Sequence, residues 1–287
     1  TNDFQGAVTL ATNGTSGNAT VVSGTSNSLM IAPSTINGDL ALTSGAGILD
    51  TGALTVTGNL TATATAGTIV LDGLVVTGTI GVNTTAGNAT VVNSSGINFT
   101  NSAIAGGNLT ATATSGDITD TGVVTVTGTS LFTAAGGQSI TLDSTGTYTG
   151  AVTFSASAGT LTNVTIDDSS AFDIGGLLTL TGDLSLTSAG AVTQTGGALV
   201  VTGTTTVVAG ANDVTLDNAG NDFGTLAITS AGVATLRDVN AVILGASGVT
   251  TLNVTAAGNI TNSGALVVSG VTTVVAGAND VTLNDAG

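Results

Sequence analysis

Along nearly the whole chain, apolar residues alternate with Thr or Ser in short runs. Leu40 and Leu42 are followed by Ile48, then by Leu54 and Val56; far downstream Leu252 and Val254 are followed by Ile260, Leu266 and Val268. A period of two sends successive side chains to opposite faces of an extended strand, whereas a helix would space them three and four apart. Gly, Asn or Asp punctuates each run, so the pattern predicts three short strands joined by tight corners, and then the same again.

The unit recurs as "DLALTSGAGILDTGALTVTG" (39–58), "NLTATATAGTIVLDGLVVTG" (59–78), "NLTATATSGDITDTGVVTVTG" (108–128), "DLSLTSAGAVTQTGGALVVTG" (183–203) and "TLNVTAAGNITNSGALVVSG" (251–270). A repeat of about 20 residues is the signature of a solenoid. Like residues lie one unit apart, so coil should stack on coil, with Leu40 over Leu60 and Val56 over Val76. The predicted fold is all-β: a right-handed parallel β-helix with coils of about 20 residues, the hand following the rule for parallel crossovers. One coil buries too few aliphatic side chains to offset the entropy of ordering it, so residues 1–287 read as a single β-solenoid array. Gly58, Gly78, Gly128, Gly203 and Gly270 are expected at positive φ, with Asp39, Asn59, Asn108 and Asp183 suited to the corners.

A longer repeat overlies the short one. "TTVVAGANDVTL" occurs at 205–216 and 272–283, and "GALTVTG" at 52, "GVVTVTG" at 122, "GALVVTG" at 197 and "GALVVSG" at 264 mark a spacing of about 70 residues. This points to duplicated blocks of three to four coils. Phe4 and Phe223 share an "NDF" element, and Tyr148 in "STGTYTGAVTF" stands in a similar place; such spaced aromatics are expected to fill the core. Joining "LNDAG" to "TNDF" nearly recreates "LDNAGNDFG" of 216–224. The chain therefore reads as a segment of a longer repeat protein or as a subunit that stacks end to end.

Composition then removes most chemistry. All seventeen acidic residues are Asp, Arg237 is the only cation, and Glu, Lys, His, Cys and Trp are absent, for a net charge of -16. Such a surface repels phosphate backbones, so no nucleic-acid partner is expected. No apolar run reaches the roughly 20 residues of a membrane helix. A membrane β-barrel would carry aromatic girdles, and aromatics are 2% of the chain; no membrane insertion is expected.

Without His or Cys there is neither a Ser/His/Asp triad nor a nitrogen or sulfur metal site, so the chain is expected to be no enzyme and to hold no cofactor. Arg237, beside Asp238, reads as a surface ion pair. Asp167 and Asp168 are the only adjacent carboxylates and weak Ca²⁺ candidates, with Asp117 and Asp120 the next pair. The calcium-roll "GGxGxD" motif is missing, and all four are expected to be solvated corner residues.

"TATAT" places Thr61, Thr63 and Thr65, and again Thr110, Thr112 and Thr114, at alternate positions. Stacked coils would turn these into outward Thr rows. A soluble β-branched face is the plain explanation; a flat Thr lattice that orders water makes an ice-binding solenoid an alternative. Asn59, Asn108 and Asn253 precede x-Thr and are candidate glycosylation acceptors, as are Asn13, Asn18, Asn83, Asn88, Asn93, Asn98, Asn163 and Asn259.

In its "DLxLTSxGxIxxTGALxVTG" unit the chain resembles the β-helical shafts of giant bacterial surface adhesins. These are of the filamentous haemagglutinin type, exported by two-partner secretion. The resemblance is clearest at 39–78, 108–128 and 183–287. It implies a secreted or cell-surface rod, an extracellular fibre or adhesin shaft that spaces or attaches cells. Its implied partners are further copies, end to end or side by side, and other cells or surface glycans; no catalytic residues carry over. A glycan-binding β-helix is a further alternative. The near absence of Lys and Arg, which leaves trypsin-like proteases little to cut, suits an extracellular setting.

Overall fold

The computed structural model describes residues 2–284, which contain strands and no helix. They fall into two compact units, Thr1–Gly150 and Ala151–Gly287. Each is a parallel β-solenoid.

In the first unit one coil consists of a straight strand, Leu40–Ser44, and a bent pair, Ile48–Asp50 and Leu54–Val56. The next coil repeats it with Leu60–Ala64 and the continuous but bent Ile69–Val76. The register is parallel, with Leu40 on Leu60 and Val56 on Val76, as the unit spacing predicts. Alternation does the sorting: Leu40, Leu42, Ile48, Leu54 and Val56 are buried while Thr43 and Thr55 face out. Every coil therefore offers both the apolar layer and the ladder of hydrogen bonds that its neighbours require.

The aromatic residues mainly fill the core. Phe99, Phe132 and Tyr148 stack edge to face through the first unit, with centroids 6.4 and 6.0 Å apart. Phe223 is buried in the second unit, whereas Phe4 is only half-buried.

The corner glycines correct one expectation. None of Gly58, Gly78, Gly128, Gly203 and Gly270 has positive φ; glycines with that conformation lie elsewhere, at Gly14, Gly67 and Gly87 among others. What the five corners require is room for the neighbouring coil. A Cβ on Gly78 would sit 2.6 Å from the carbonyl carbon of Gly58, one on Gly58 2.6 Å from that of Gly38, and one on Gly203 2.6 Å from the carbonyl oxygen of Gly182. On Gly128 and Gly270 it would meet the carbonyl oxygens of Gly107 and Thr250 at 2.5 and 2.7 Å. These contacts are to backbone and no side-chain rotation relieves them.

Within each unit the two walls of the coil change places. Ala19–Ser23, Leu40–Ser44, Leu60–Ala64 and Ile80–Thr84 form one column of straight strands. The next straight strand, Ala89–Asn93, stacks instead on the bent Ile69–Val76, pairing Ala89 with Ile69 and Asn93 with Leu74. The following bent pair, Ile97–Phe99 and Ser102–Ile104, lies over the straight Ile80–Thr84. From there Leu109–Ala113 and Ser130–Ala134 continue the straight column on the second wall.

The second unit repeats the manoeuvre. Its straight column runs from Val164–Asp168 and Leu184–Ser188 through residues 204–208 to 225–230. Ala234 to Leu236 then stack on Val214–Leu216, while Ile243 and Leu244 lie over Thr225 and Leu226.

Candidate functional site: corners, wall exchanges and exposed faces

Three kinds of polar position recur, and each joins one coil to the next. At the first corner the Asn18 Oδ1 accepts from the Asp39 N–H, Asp39 from Asn59 and Asn59 from Thr79, at 2.8 to 2.9 Å. The same ladder runs Asn88 to Asn108 to Thr129, and Asn163 to Asp183 to Thr204. Only an oxygen acceptor is needed there, which is why Asn and Asp interchange. Of the candidate glycosylation sites, Asn59 and Asn108 are thus exposed rungs of a ladder and Asn253 lies half-exposed on a strand, whereas Asn93, fully buried with its amide hydrogen-bonded inside, is no acceptor.

The second kind sits at the bend. Asp50 accepts from the Asp72 and Gly73 N–H groups at 3.0 and 2.9 Å, and Asp120 from Asp143 and Ser144 at 3.0 and 3.3 Å. In the second unit Gln194 donates to the Gly197 carbonyl, and the Asn262 Oδ1 accepts from Asn284. The signal is visible in "ILDTG", "ITDTG", "VTQTG" and "ITNSG" at 48, 118, 192 and 260, where a polar residue takes the third, inward place of a strand.

The third kind marks the wall exchange. Asn93 is fully buried and grips the bend of the coil it covers: its Oδ1 accepts from the Val76 N–H at 2.9 Å, and its Nδ2 donates to the Val76 and Gly96 carbonyls at 3.0 and 2.7 Å. Asp238 does the same in the second unit, accepting from the Phe223 and Asn240 N–H groups at 2.8 Å each. Asp168 also ends the first straight strand of a column, and it accepts from the Ser170 N–H and hydroxyl. A straight strand laid over a bend leaves that bend's N–H groups without a ladder partner, and Asn93 and Asp238 supply it.

Two further expectations are corrected by this inward placement. Asp167 and Asp168 do not converge on one ion, because neighbours on a strand point oppositely: Asp168 is 1% exposed inside and Asp167 half-exposed outside. Asp120, at 7% exposure, is likewise no solvated corner residue, whereas Asp117 is exposed. No group of three His, Cys, Asp or Glu side chains suited to a metal occurs among the described residues. Nor do Arg237 and Asp238 pair at the surface; Arg237 is exposed while Asp238, at 3% exposure, turns inward to Phe223.

Thr61, Thr63 and Thr65 face outward around buried Ala62 and Ala64, and Thr110, Thr112 and Thr114 around buried Ala111 and Ala113. Their rows are short. Thr61 lies between Ala41 and Gly81, Thr63 between Thr43 and Asn83, Thr110 between Thr90 and Leu131, and Thr112 between Val92 and Thr133. The two "TATAT" stretches also occupy opposite walls, since a wall exchange lies between them.

Burial pushes the carboxyls of Asp50, Asp120 and Asp238 above the usual carboxylate range, against the opposing pull of their backbone N–H donors. A folded-state pKa above the unfolded one means that protonation favours the fold. The contribution is fully present below the unfolded pKa and is lost as pH rises through the raised folded values. Denaturant melts should therefore show greater stability near pH 4 than at pH 7, and Asp50→Asn with Asp120→Asn should reduce the difference. Greater stability at pH 7 would contradict this assignment.

Fold and polar pattern together define a β-solenoid repeat protein. Four successive stretches, residues 16–83, 86–155, 161–230 and 231–287, match the family model described as repeats of unknown function (DUF5649), and the chain belongs to that family. Neither the curated proteins nor the solved structures give a match. Two family boundaries, 83/86 and 230/231, fall on the wall exchanges. The match at 16–83 spans four straight strands separated by three bent pairs, so a repeat is three and a half coils rather than a whole number.

Proposed function

We propose that this protein is a structural extracellular fibre or adhesin shaft that spaces or attaches cells without catalysis. The observation that carries this reading is where the polar side chains point. Asp50, Asn59, Asn93, Asp120, Asp183 and Asp238 each bond to backbone of an adjoining coil or of their own corner, so the polar chemistry of the chain serves stacking. The likeness of the coil unit to adhesin shafts supports the same reading and adds the surface location.

For a spacer, outward residues are interchangeable and coil number is not. Changing Thr61, Thr63, Thr110 and Thr112 to Ser in the native protein should leave cell attachment intact. Removing two successive repeats of about 70 residues each, seven coils at about 4.8 Å each, should shorten the fibre seen by electron microscopy by about 34 Å. Loss of attachment after the Thr changes, at unchanged circular dichroism, would instead make the Thr faces a binding surface and defeat the spacer reading.

A further inference from the structure

Strands 266–268, 272–275 and 281–282 form an edge whose inward side chains lie open. Leu266, Val268 and Val274 are half-exposed, and Val281 and Leu283 are 46% and 39% exposed. Leu266, Val268, Thr272 and Leu283 line an open hollow of about 350 Å³. The repeats "GALVVTG" and "TTVVAGANDVTL" place the same coil earlier, as Leu199, Val201, Val207, Val214 and Leu216, each at most 1% exposed. There residues 222–236 cover it: Phe223 lies on Val201, Leu226 on Thr205, Ile228 on Val207, Ala234 on Val214 and Leu236 on Leu216.

Residues 2–21 rebuild that cover. Ile31 lies over Val8 as Leu244 lies over Leu226. The Ser34 hydroxyl accepts from the Leu10 N–H as the Ser247 hydroxyl accepts from the Ile228 N–H. The Asn2 carbonyl accepts from the Gly24 N–H as that of Asn221 accepts from the Val239 N–H, and Leu40 lies over Ala19 as Leu252 lies over Ala234. Yet Phe4, Val8 and Leu10 are half-exposed where Phe223, Leu226 and Ile228 are buried. Gly6 shows what is missing beneath them. "FQGAVTL" at 4–10 matches "YTGAVTF" at 148–154, where Tyr148 lies on Val126 and a Cβ on Gly150 would stand 2.5 Å from the Gly128 carbonyl oxygen. A Cβ on Gly6 would meet nothing within 4 Å, and its φ is not positive. Within one molecule neither space nor conformation calls for glycine there.

We propose that these two edges join copies of this chain head to tail, residues 2–21 of one molecule covering the 266–283 coil of another. The register repeats the interior one: Phe4 over Val268, Val8 over Thr272, Leu10 over Val274, Ala19 over Val281 and Val21 over Leu283. The corner ladder runs through the joint. The Asn259 Oδ1 accepts from the Asp280 N–H and the Asn18 Oδ1 from the Asp39 N–H; Asp280 then accepts from the Asn18 N–H of the covering copy, as Asp213 accepts from the Val233 N–H. A second copy is the occupant because its first coil supplies the aromatic residue, the corner glycine and the spacing that cover the same coil inside the chain. Backbone pairing between open strand edges adds to the apolar contact. The contact is heterologous, so a dimer keeps one free edge of each kind and association continues past it.

This inference rests on the shaft reading for its purpose and deepens it by naming the joint; its test is read in mass alone. Sedimentation of the 287-residue chain up to millimolar concentration, in about 0.15 M salt to screen the like net charges, should show oligomers growing past the dimer. Gly6→Ala fits the free molecule but sets a Cβ against the covered coil, and Thr272→Asp changes an exposed side chain that the joint buries under Val8. Each should weaken association at least about tenfold, with unchanged circular dichroism. Gly6→Ala leaves the 266–283 edge intact and Thr272→Asp leaves the 2–21 edge intact, so an equimolar mixture should form 1:1 dimers and stop there. A wild-type chain monomeric throughout, a variant that associates like wild type, or a mixture that stays monomeric or grows past the dimer would each overturn the proposal. None of those results would touch the spacer reading, which rests on fibre length and attachment.

Discussion

Gly78→Ala is expected to destabilise the first unit by about 3 kcal/mol, the upper range for overpacking a well-filled site. The added Cβ would stand 2.6 Å from the Gly58 carbonyl carbon, and both groups belong to backbone held by the ladders on either side. Relief requires the two coils to part locally, weakening the corner hydrogen bonds from the Thr79 N–H to the Asn59 Oδ1 and from the Gly78 N–H to the Gly58 carbonyl. Gly14→Ala is the control. Gly14 has φ of 104° with nothing within 4 Å of a Cβ, so only the conformational cost of about 1 kcal/mol applies. Chemical melts of the two variants should separate them clearly; equal losses would mean that conformation, not coil spacing, selects the corner glycines.

Asn93→Ala should cost about 4 kcal/mol, because it strips hydrogen bonds from the buried Val76 N–H and the Val76 and Gly96 carbonyls without admitting water. Asn93→Asp keeps the acceptor for Val76 N–H but replaces the donor with a carboxylate facing two carbonyl oxygens. Its loss should therefore be large at pH 7 and shrink as the medium is acidified and the carboxyl becomes protonated. Asp at the equivalent position 238 is tolerated because its oxygens meet N–H groups, from Phe223 and Asn240. Thermal melts of both Asn93 variants at pH 4 and pH 7 check this; an Asn93→Ala loss below about 1 kcal/mol, the size of an exposed hydrogen bond, would remove Asn93 from its role at the exchange.

The coil, its three strands and its inward set could be read from alternation alone, because burial in a strand depends on parity and little else. Register followed from the repeat, and Leu40 does lie on Leu60. The corner glycines were located but misexplained: a single sequence displays conformational preference, whereas the approach of Gly58 to Gly78 exists only once coils are stacked. Arg237 with Asp238, and Asp167 with Asp168, yield to the parity rule that located the core, since adjacent residues of a strand cannot share a face. The wall exchange was latent in arithmetic. A long period of about 70 residues is not a whole multiple of about 20, so equivalent strands of successive repeats must land half a turn apart. The role of Asn93 and Asp238 was not legible, because only that half turn gives a buried polar side chain a bend to hold.

The central claim is that a family repeat is three and a half coils, and spin-label distances in the first unit test it directly. Cys introduced at Val22 and Thr63 places two labels on one wall, two coils apart, about 10 Å along the stack. Cys at Thr63 and Thr112 gives a similar axial separation, about 12 Å, but on opposite walls, so the labels are further divided by the core, about 10 Å thick. Combined at right angles these give about 16 Å, so the second pair should be longer than the first by at least about 5 Å. Equal distances for the two pairs would mean that both straight columns share one wall, and the half-turn repeat would be wrong.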